Sequence, residues 1–300
     1  MDKKINIGTR GSKLALWQAE HLKSLLEGEG YEAVLKIIKT QGDRVQDLPL
    51  QKLEGKGFFT KEIEEALLAG EIDVAVHSLK DLPTGQADEL VIAGVSYRED
   101  PADLLIINEA AFDESQTMHI KKNAIVGTSS VRRKIQLRHF REDLELIDIR
   151  GNVPTRIKKL KEGNFDGIVL AAAGINRLEI NLNDLKVFKF DPTEFISAPA
   201  QGVIAFQVRK QDVPMRRVIK KIHQVEVSAC TNVERSILKL ADGGCHSPLG
   251  AYCKKDAAGN FHAYACYASA ENKPLKFRQL SYSTSHQLAE DLFKKFNEDL

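Results

Sequence analysis

The sequence has only four cysteines in 300 residues, Cys230, Cys245, Cys253 and Cys266, and no two of them form a Cys-x-x-Cys pair. That is a poor disulfide framework and a poor zinc signature, so free thiols are expected. No apolar run approaches the roughly 20 residues that a membrane span needs, so no bilayer crossing is expected. Net charge is also nearly absent, since 43 Lys plus Arg oppose 42 Asp plus Glu for a formal charge of +1. No whole-molecule field is available to hold a nucleic-acid backbone or an anionic membrane, and any anion site must be built locally. The opening Met1-Asp2-Lys3-Lys4-Ile5-Asn6-Ile7 shows neither a signal core nor a transit pattern, which predicts a cytoplasmic location. There is no low-complexity segment and no G-x-x-x-x-G-K-[ST] loop, and Gly8-x-x-Gly11 is not a dinucleotide fingerprint.

What is present is an ordinary globular composition, 43% hydrophobic and 28% charged, in a chain long enough for two or three domains. A strand over 3–8 leads to Gly8-Thr9-Arg10-Gly11-Ser12 and a helix with Leu14, Trp17, Leu22, Leu25 and Leu26 at helical spacing. A strand over 33–39 follows, then a helix from about Thr60 that ends at Gly70. The apolar strand Ile72-Asp73-Val74-Ala75-Val76 runs into His77-Ser78-Leu79-Lys80-Asp81-Leu82-Pro83. This alternation predicts a mainly parallel sheet with helices on its faces. The middle of the chain echoes it: Ile125-Val126-Gly127-Thr128-Ser129-Ser130 matches Ile7 to Ser12, and the Gly163 to Val169 segment matches Gly70 to Val76, each with an Asp before a buried strand. Two similar α/β lobes are expected, with strand ends around one cleft. From about Pro214 a long helical stretch leads to Gly243-Gly244-Cys245. Three strand-like runs then predict a small antiparallel sheet, and a last helix is expected to open on a capping box from Thr284 to Gln287. The expected division is 1–96 with 192–213, 97–191 and 214–300.

Arginine concentrates where strands give way to helices. Gly127-Thr128-Ser129-Ser130-Val131-Arg132-Arg133 offers hydroxyls, backbone N–H groups and two guanidinium groups at a helix start, which suits a carboxylate or phosphate. Cations there oppose the helix dipole by a few tenths of a kcal/mol, so they need another reason to be present; a solvated charged face is the alternative. Arg150-Gly151-Asn152-Val153-Pro154-Thr155-Arg156 repeats the arrangement, with Asn152 placed to cap a helix. With Arg10 and Arg177 these make six arginines near predicted strand ends, and they point to a substrate with several carboxylates; phosphate would serve almost as well. Asp81 at a strand's carboxyl end suits stabilising a developing cation or moving a proton, or else starts a turn before Pro83. His77 reads as packed rather than catalytic. Cys245, between glycines and Pro248, suits a presented thiol, whereas a metal site from Cys245, His246 and Cys253 lacks dependable spacing. The other three cysteines sit in apolar stretches and read as small core residues.

Taken together, Gly8-Thr9-Arg10-Gly11-Ser12-Lys13-Leu14-Ala15-Leu16-Trp17-Gln18, Gly55-Lys56-Gly57-Phe58-Phe59, His77 to Pro83, Gly127 to Arg133, Arg150 to Arg156 and Gly243-Gly244-Cys245-His246-Ser247-Pro248-Leu249-Gly250 resemble, in order, the signature segments of the hydroxymethylbilane synthase (porphobilinogen deaminase) family. The resemblance implies two periplasmic-binding-protein-like lobes and a third, cofactor-carrying α+β domain. It also implies a transferase of tetrapyrrole (haem) biosynthesis that joins four porphobilinogen units head to tail into hydroxymethylbilane, releasing ammonia each time. A dipyrromethane cofactor is implied on Cys245 through a thioether, with Asp81 as the catalytic acid group. Arg10, Ser12, Lys80, Thr128, Ser130, Arg132, Arg133, Arg150, Arg156 and Arg177 match positions that hold cofactor and substrate carboxylates, the same segments add Gln18, Lys56, Ser78, Ser129 and Gly151, and Gln201 is added from Ser197-Ala198-Pro199-Ala200-Gln201-Gly202, which departs from the family's return segment. The expected partner is porphobilinogen alone, with no nucleic acid, membrane or metal, and the chain is expected to act as a monomer. Lys13 replaces a frequent Pro, and Ala200 stands at a common Gly. The loop at 55–59 is expected to cover the cleft as a lid. The rival class is a non-catalytic two-lobed solute binder using the same arginines, from which Asp81 and the Cys245 loop discriminate.

Overall fold

The computed structural model describes residues 4–40, 60–85, 87–241, 248–270 and 273–298. The chain forms two compact units, Met1–Glu99 with Gly202–Ala229 and Asp100–Gln201 with Cys230–Leu300.

In the first unit, strands β1 (Ile5–Thr9), β2 (Ala33–Ile37), β3 (Val74–Ser78), β4 (Leu90–Val95) and β10 (Ile204–Arg209) form one sheet in the order β2-β1-β3-β10-β4. β1 pairs in parallel with β2 and β3, and β10 runs antiparallel between β3 and β4. Both faces are covered, which explains the near-continuous apolar strands. Val74 and Val76 of β3 face one cluster with Leu22 and Leu26 of helix α1 (Lys13–Gly28), whereas Ala75 faces the other with Ile63 and Leu67 of helix α2 (Lys61–Leu68). This is the period-two alternation of a strand buried on both sides.

The second unit repeats the plan. Strands β5 (Asp103–Asn108), β6 (Ile125–Gly127), β7 (Glu145–Ile147), β8 (Gly167–Ala171) and β9 (Leu185–Lys189) take the order β7-β6-β8-β5-β9, with β6 parallel to β7 and β8, and β5 antiparallel between β8 and β9. Helix α3 (Val131–Phe140) covers one face through Leu137, and helices α4 (Val153–Lys161) and α5 (Ala172–Arg177) cover the other through Ile157, Leu160 and Ile175. The two aspartates of the sequence echo do the same work. Asp73 accepts from the Asn6 N–H at 2.8 Å and Asp166 from the Ile125 N–H at 2.9 Å, each tying the start of one strand to the neighbouring central strand.

Two elements differ from expectation. The helical stretch after Pro214 is two helices, α6 (Val213–Lys221) and α7 (Val225–Leu240); the chain breaks between them where the Gln224 N–H leaves the helix to donate to the Val95 carbonyl at 3.1 Å. The last helix, α8 (Leu288–Asn297), has no capping box, because Gln287 stands at its N-cap in the left-handed region (φ 55°) and makes no side-chain cap bond. The three runs between α7 and α8 are the expected antiparallel sheet, β11 (Leu249–Lys255), β12 (Phe261–Tyr267) and β13 (Lys276–Tyr282), which clusters with the second unit. Cys230, Cys253 and Cys266 are buried core thiols.

Candidate active site

In the first unit β1 and β3 are parallel neighbours, so their carboxyl ends emerge on one edge of the sheet. A Cβ on Gly8 would meet the side chain of buried Ile72, which would have to shift to admit it. After β1 the chain passes through half-buried Arg10 to Ser12, whose hydroxyl caps α1 by accepting from the Ala15 N–H at 3.3 Å. Gln18, one turn further on and buried, donates to the Ser78 hydroxyl at 2.9 Å and ties the helix to the end of β3. β3 then enters a one-turn 3-10 helix, Leu79–Asp81. Leu79 and Leu82 are buried, the Leu79 N–H donates to the Val203 carbonyl at 2.9 Å, and the turn leaves Lys80 half-buried and Asp81 exposed. Apolar residues thus anchor the turn that presents the carboxylate.

His77 is fully enclosed, as the sequence reading expects of a packed histidine. Its Nε2 donates to Gln207 Oε1 at 3.2 Å, and Gln207 in turn donates to Glu64 Oε1 at 2.8 Å. Burial, opposed by the Gln207 bond and aided by the nearby Arg10 charge, lowers its pKa from 6.5 to about 4. The unfolded chain therefore binds a proton below pH 6.5 that the folded chain refuses until about pH 4, and stability falls as pH drops through that window. Between pH 7 and 4.5 the wild type should lose about 2–3 kcal/mol more than His77→Gln in urea titrations. Equal losses in the two proteins would reject this.

In the second unit β6 delivers Thr128, Ser129 and Ser130 to the start of α3. Thr128 is buried, and its hydroxyl accepts from the Ser130 N–H at 3.3 Å; Ser129 bonds in both directions with the backbone of Ile149, at 2.9 and 3.1 Å. Arg132 and Arg133 are 4% and 7% exposed and converge on Asp103, the first residue of β5. Arg132 Nη1 lies 2.8 Å from Asp103 Oδ2, and Arg133 Nη2 lies 2.6 Å from Oδ1. Gln201 adds its amide to Oδ1 at 2.9 Å and to the Pro101 carbonyl at 2.8 Å. Burial would raise the Asp103 pKa, but the two guanidinium groups overcome it and hold the carboxyl well below the usual range. This buried, doubly ion-paired carboxylate accounts for two cations being tolerated in the first turn of a helix.

Asp103 offsets one of those two charges. Beyond it, Arg156 is held by the Gly151 carbonyl at 2.7 Å, with Gly151 at φ 112° and Asn152 capping α4 through the Thr155 N–H at 3.0 Å. Burial, then repulsion from Arg133 and Arg150, pushes Arg156 down to about 10, and no carboxylate opposes the shift. Arg133 Nε is buried and has no hydrogen-bond partner among the described residues, and Arg177 is 5% exposed at the end of α5. Arg133, Arg150 and Arg156 thus lie close enough for their charges to repel, a donor set that suits a polyanion. Lys56, the 55–59 loop and Cys245 lie outside the described residues.

Two residues here escape the sequence reading. Asp103 opens an apolar run, Leu104 to Ile107, and its only signal is an acid at the head of a buried strand. Glu234, wholly buried on α7, accepts from the Ala200 N–H at 2.6 Å and from the Cys253 N–H at 2.7 Å; its place on the stripe Cys230, Val233, Ile237, Leu238 is the signal. Ala200 itself sits at φ 63°, a left-handed conformation that favours glycine over alanine. Ala200→Gly should raise stability by about 1 kcal/mol, roughly 2 °C in Tm; a lower Tm would show that the lost Cβ packing outweighs the relieved strain.

The model of porphobilinogen deaminase, dipyromethane cofactor binding domain, matches residues 5–217. The porphobilinogen deaminase of Sulfurimonas denitrificans is 45% identical over 251 residues, covering 83% of this chain and 78% of the relative. That of Chloroherpeton thalassium is 41% identical over 283 residues, 94% of this chain and 88% of its own. Among solved structures, the periplasmic aliphatic sulphonate binding protein SsuA from Escherichia coli aligns with 81% of this chain and 71% of its own at 14% identity and a TM-score of 0.44. The clustered guanidinium groups thus lie in a chain that belongs to the porphobilinogen deaminase family, enzymes of tetrapyrrole biosynthesis with a dipyrromethane cofactor.

Proposed function

We propose that this chain joins four porphobilinogen units head to tail into hydroxymethylbilane, releasing ammonia at each addition, on a dipyrromethane primer attached through a thioether to Cys245. The observation that carries this reading is the clustering of buried Arg133 with half-buried Arg150 and Arg156, where Arg133 Nε has no hydrogen-bond partner among the described residues. Pyrroles that each bear two carboxylates fit that donor set, since every charge-assisted contact contributes on the order of 1.5–3 kcal/mol. When bound, the dipyrromethane supplies the nucleophilic pyrrole carbon at which elongation starts.

Each residue then has a task. Arg150, Arg156 and Arg177 grip carboxylates, with Arg133 shared between Asp103 and the anion. Arg10 and Lys80 do the same in the first unit, beside the exposed Asp81. The Asp81 carboxylate stabilises the cation that porphobilinogen becomes on losing ammonia, and takes up the proton released once the new carbon–carbon bond has formed. Cys245 contributes its thiolate once and remains occupied as an anchor. On this reading residues 1–96 with 192–213 carry the acid, 97–191 the arginines and 214–300 the attachment cysteine, in a monomer. Incubation with porphobilinogen should release ammonia in step with its consumption and yield hydroxymethylbilane. Binding without ammonia release would leave a solute-binding protein instead.

A further inference from the structure

We infer that the groove between strand β4 and helix α6 is a second binding site, for a small organic anion with a flat apolar body and two or more carboxylates. The groove is open to solvent along exposed Arg216, Arg217 and Lys220 and has room for about 400 Å³, within the range of small-molecule sites. One wall is apolar: Val91, Ile92 and Ala93 of β4, the last strand of its sheet among the described residues. The register of β4 against β10 slips at Phe206/Gln207, which leaves Ala93 without a partner on β10. The other wall is cationic. Arg216, Arg217 and Lys220 recur at helical spacing on one face of α6, while Met215, Val218 and Ile219 on the opposite face enter the core.

No acid lines the groove among the described residues. Lys221 on the same helix is matched by Glu29 at 3.4 Å, and Arg216 is steadied by the Lys210 carbonyl at 3.2 Å, whereas Arg217 and Lys220 have no carboxylate partner among the described residues. In a chain of net charge +1 this local excess calls for an anion. His223 adds direction. Its Nδ1 accepts from the Val95 N–H at 3.2 Å, so the proton of the neutral ring sits on Nε2 as a fixed donor, and burial favours that neutral form. A flat body against the strand with carboxylates toward α6 and His223 satisfies both walls. Carboxylated pyrroles are of this class, an identification that rests on the function proposed above; the site itself does not depend on it.

The probe is benzene-1,3,5-tricarboxylate, titrated at low ionic strength into the full ¹⁵N-labelled chain. Saturable amide shifts are expected at Val91, Ile92, Ala93 and His223. Arg217→Glu with Lys220→Glu should weaken them at least about tenfold, and the milder Lys220→Gln by a smaller factor, with porphobilinogen consumption unchanged in both. Propane-1,2,3-tricarboxylate, with the same charge and no flat body, should bind several-fold more weakly. The proposal fails if those amides do not move, if the charge-reversed variant binds equally well, or if the aliphatic tricarboxylate or inorganic phosphate binds as tightly. Arg156→Gln should abolish turnover and leave these shifts intact, which separates this groove from the polyanion site. A wild type that shows the shifts without consuming porphobilinogen would remove the pyrrole identification and leave the site.

Discussion

Asp81→Ala is expected to lose about 10²–10³-fold in turnover with little change in stability. A single well-placed group facing developing charge is worth about 3–4 kcal/mol of barrier, and the alanine cannot replace it. Stability should hold because the 3-10 turn is anchored by buried Leu79 and Leu82 and by the Leu79 bond to Val203, while Asp81 points outward. The check is a comparison of kcat for porphobilinogen alongside thermal unfolding. Asp81→Asn, which keeps the shape and removes the charge, should fall with the alanine variant. Near-normal turnover in both would remove Asp81 from the chemistry, and a collapse in Tm would mean that the loss is structural.

Asp103→Asn should be the most destabilising of the substitutions considered, by about 3–5 kcal/mol in urea denaturation. Asp103 is completely buried between Arg132 and Arg133, and the amide would leave two guanidinium charges inside the protein with no counter-charge. The carboxyl is held below its ordinary range, so its contribution is present at neutral pH and fades as pH falls below the unfolded value near 3.8, where the unfolded carboxyl takes up a proton first. The wild type should therefore lose stability in acid along a curve that Asp103→Asn lacks. A loss under about 1 kcal/mol at pH 7 would mean that Arg132 and Arg133 are compensated by something other than this carboxylate.

The sequence was most legible where one residue type has one physical use. Gly-Thr after an apolar run marked the ends of β1 and β6, and an Asp after a helix-ending Gly marked the entries to β3 and β8. Asn152 read correctly as a cap because its side chain has few other tasks at that spacing. Less legible was what depends on partners distant in the chain. Arg132 and Arg133 suit a carboxylate cradle at a helix start, and nothing local says that one carboxylate comes from residue 103 and an amide from residue 201. The α6–α7 break is equally non-local, since the apolar period continues through it and only the Val95 carbonyl draws Gln224 away. At α8 the Thr284 to Gln287 pattern was present, but Gln287 took a left-handed backbone and the box did not form. The strain at Ala200 was visible only as an alanine where glycine is common.

Intact mass spectrometry of the purified chain bears most directly on the tethered primer from which the arginine and aspartate assignments draw their purpose. The wild type should carry a covalent adduct of two pyrrole units, and Cys245→Ser should have the mass of the bare chain and no turnover. A fully active wild type at the bare-chain mass, or an adduct that persists in Cys245→Ser, would contradict the account.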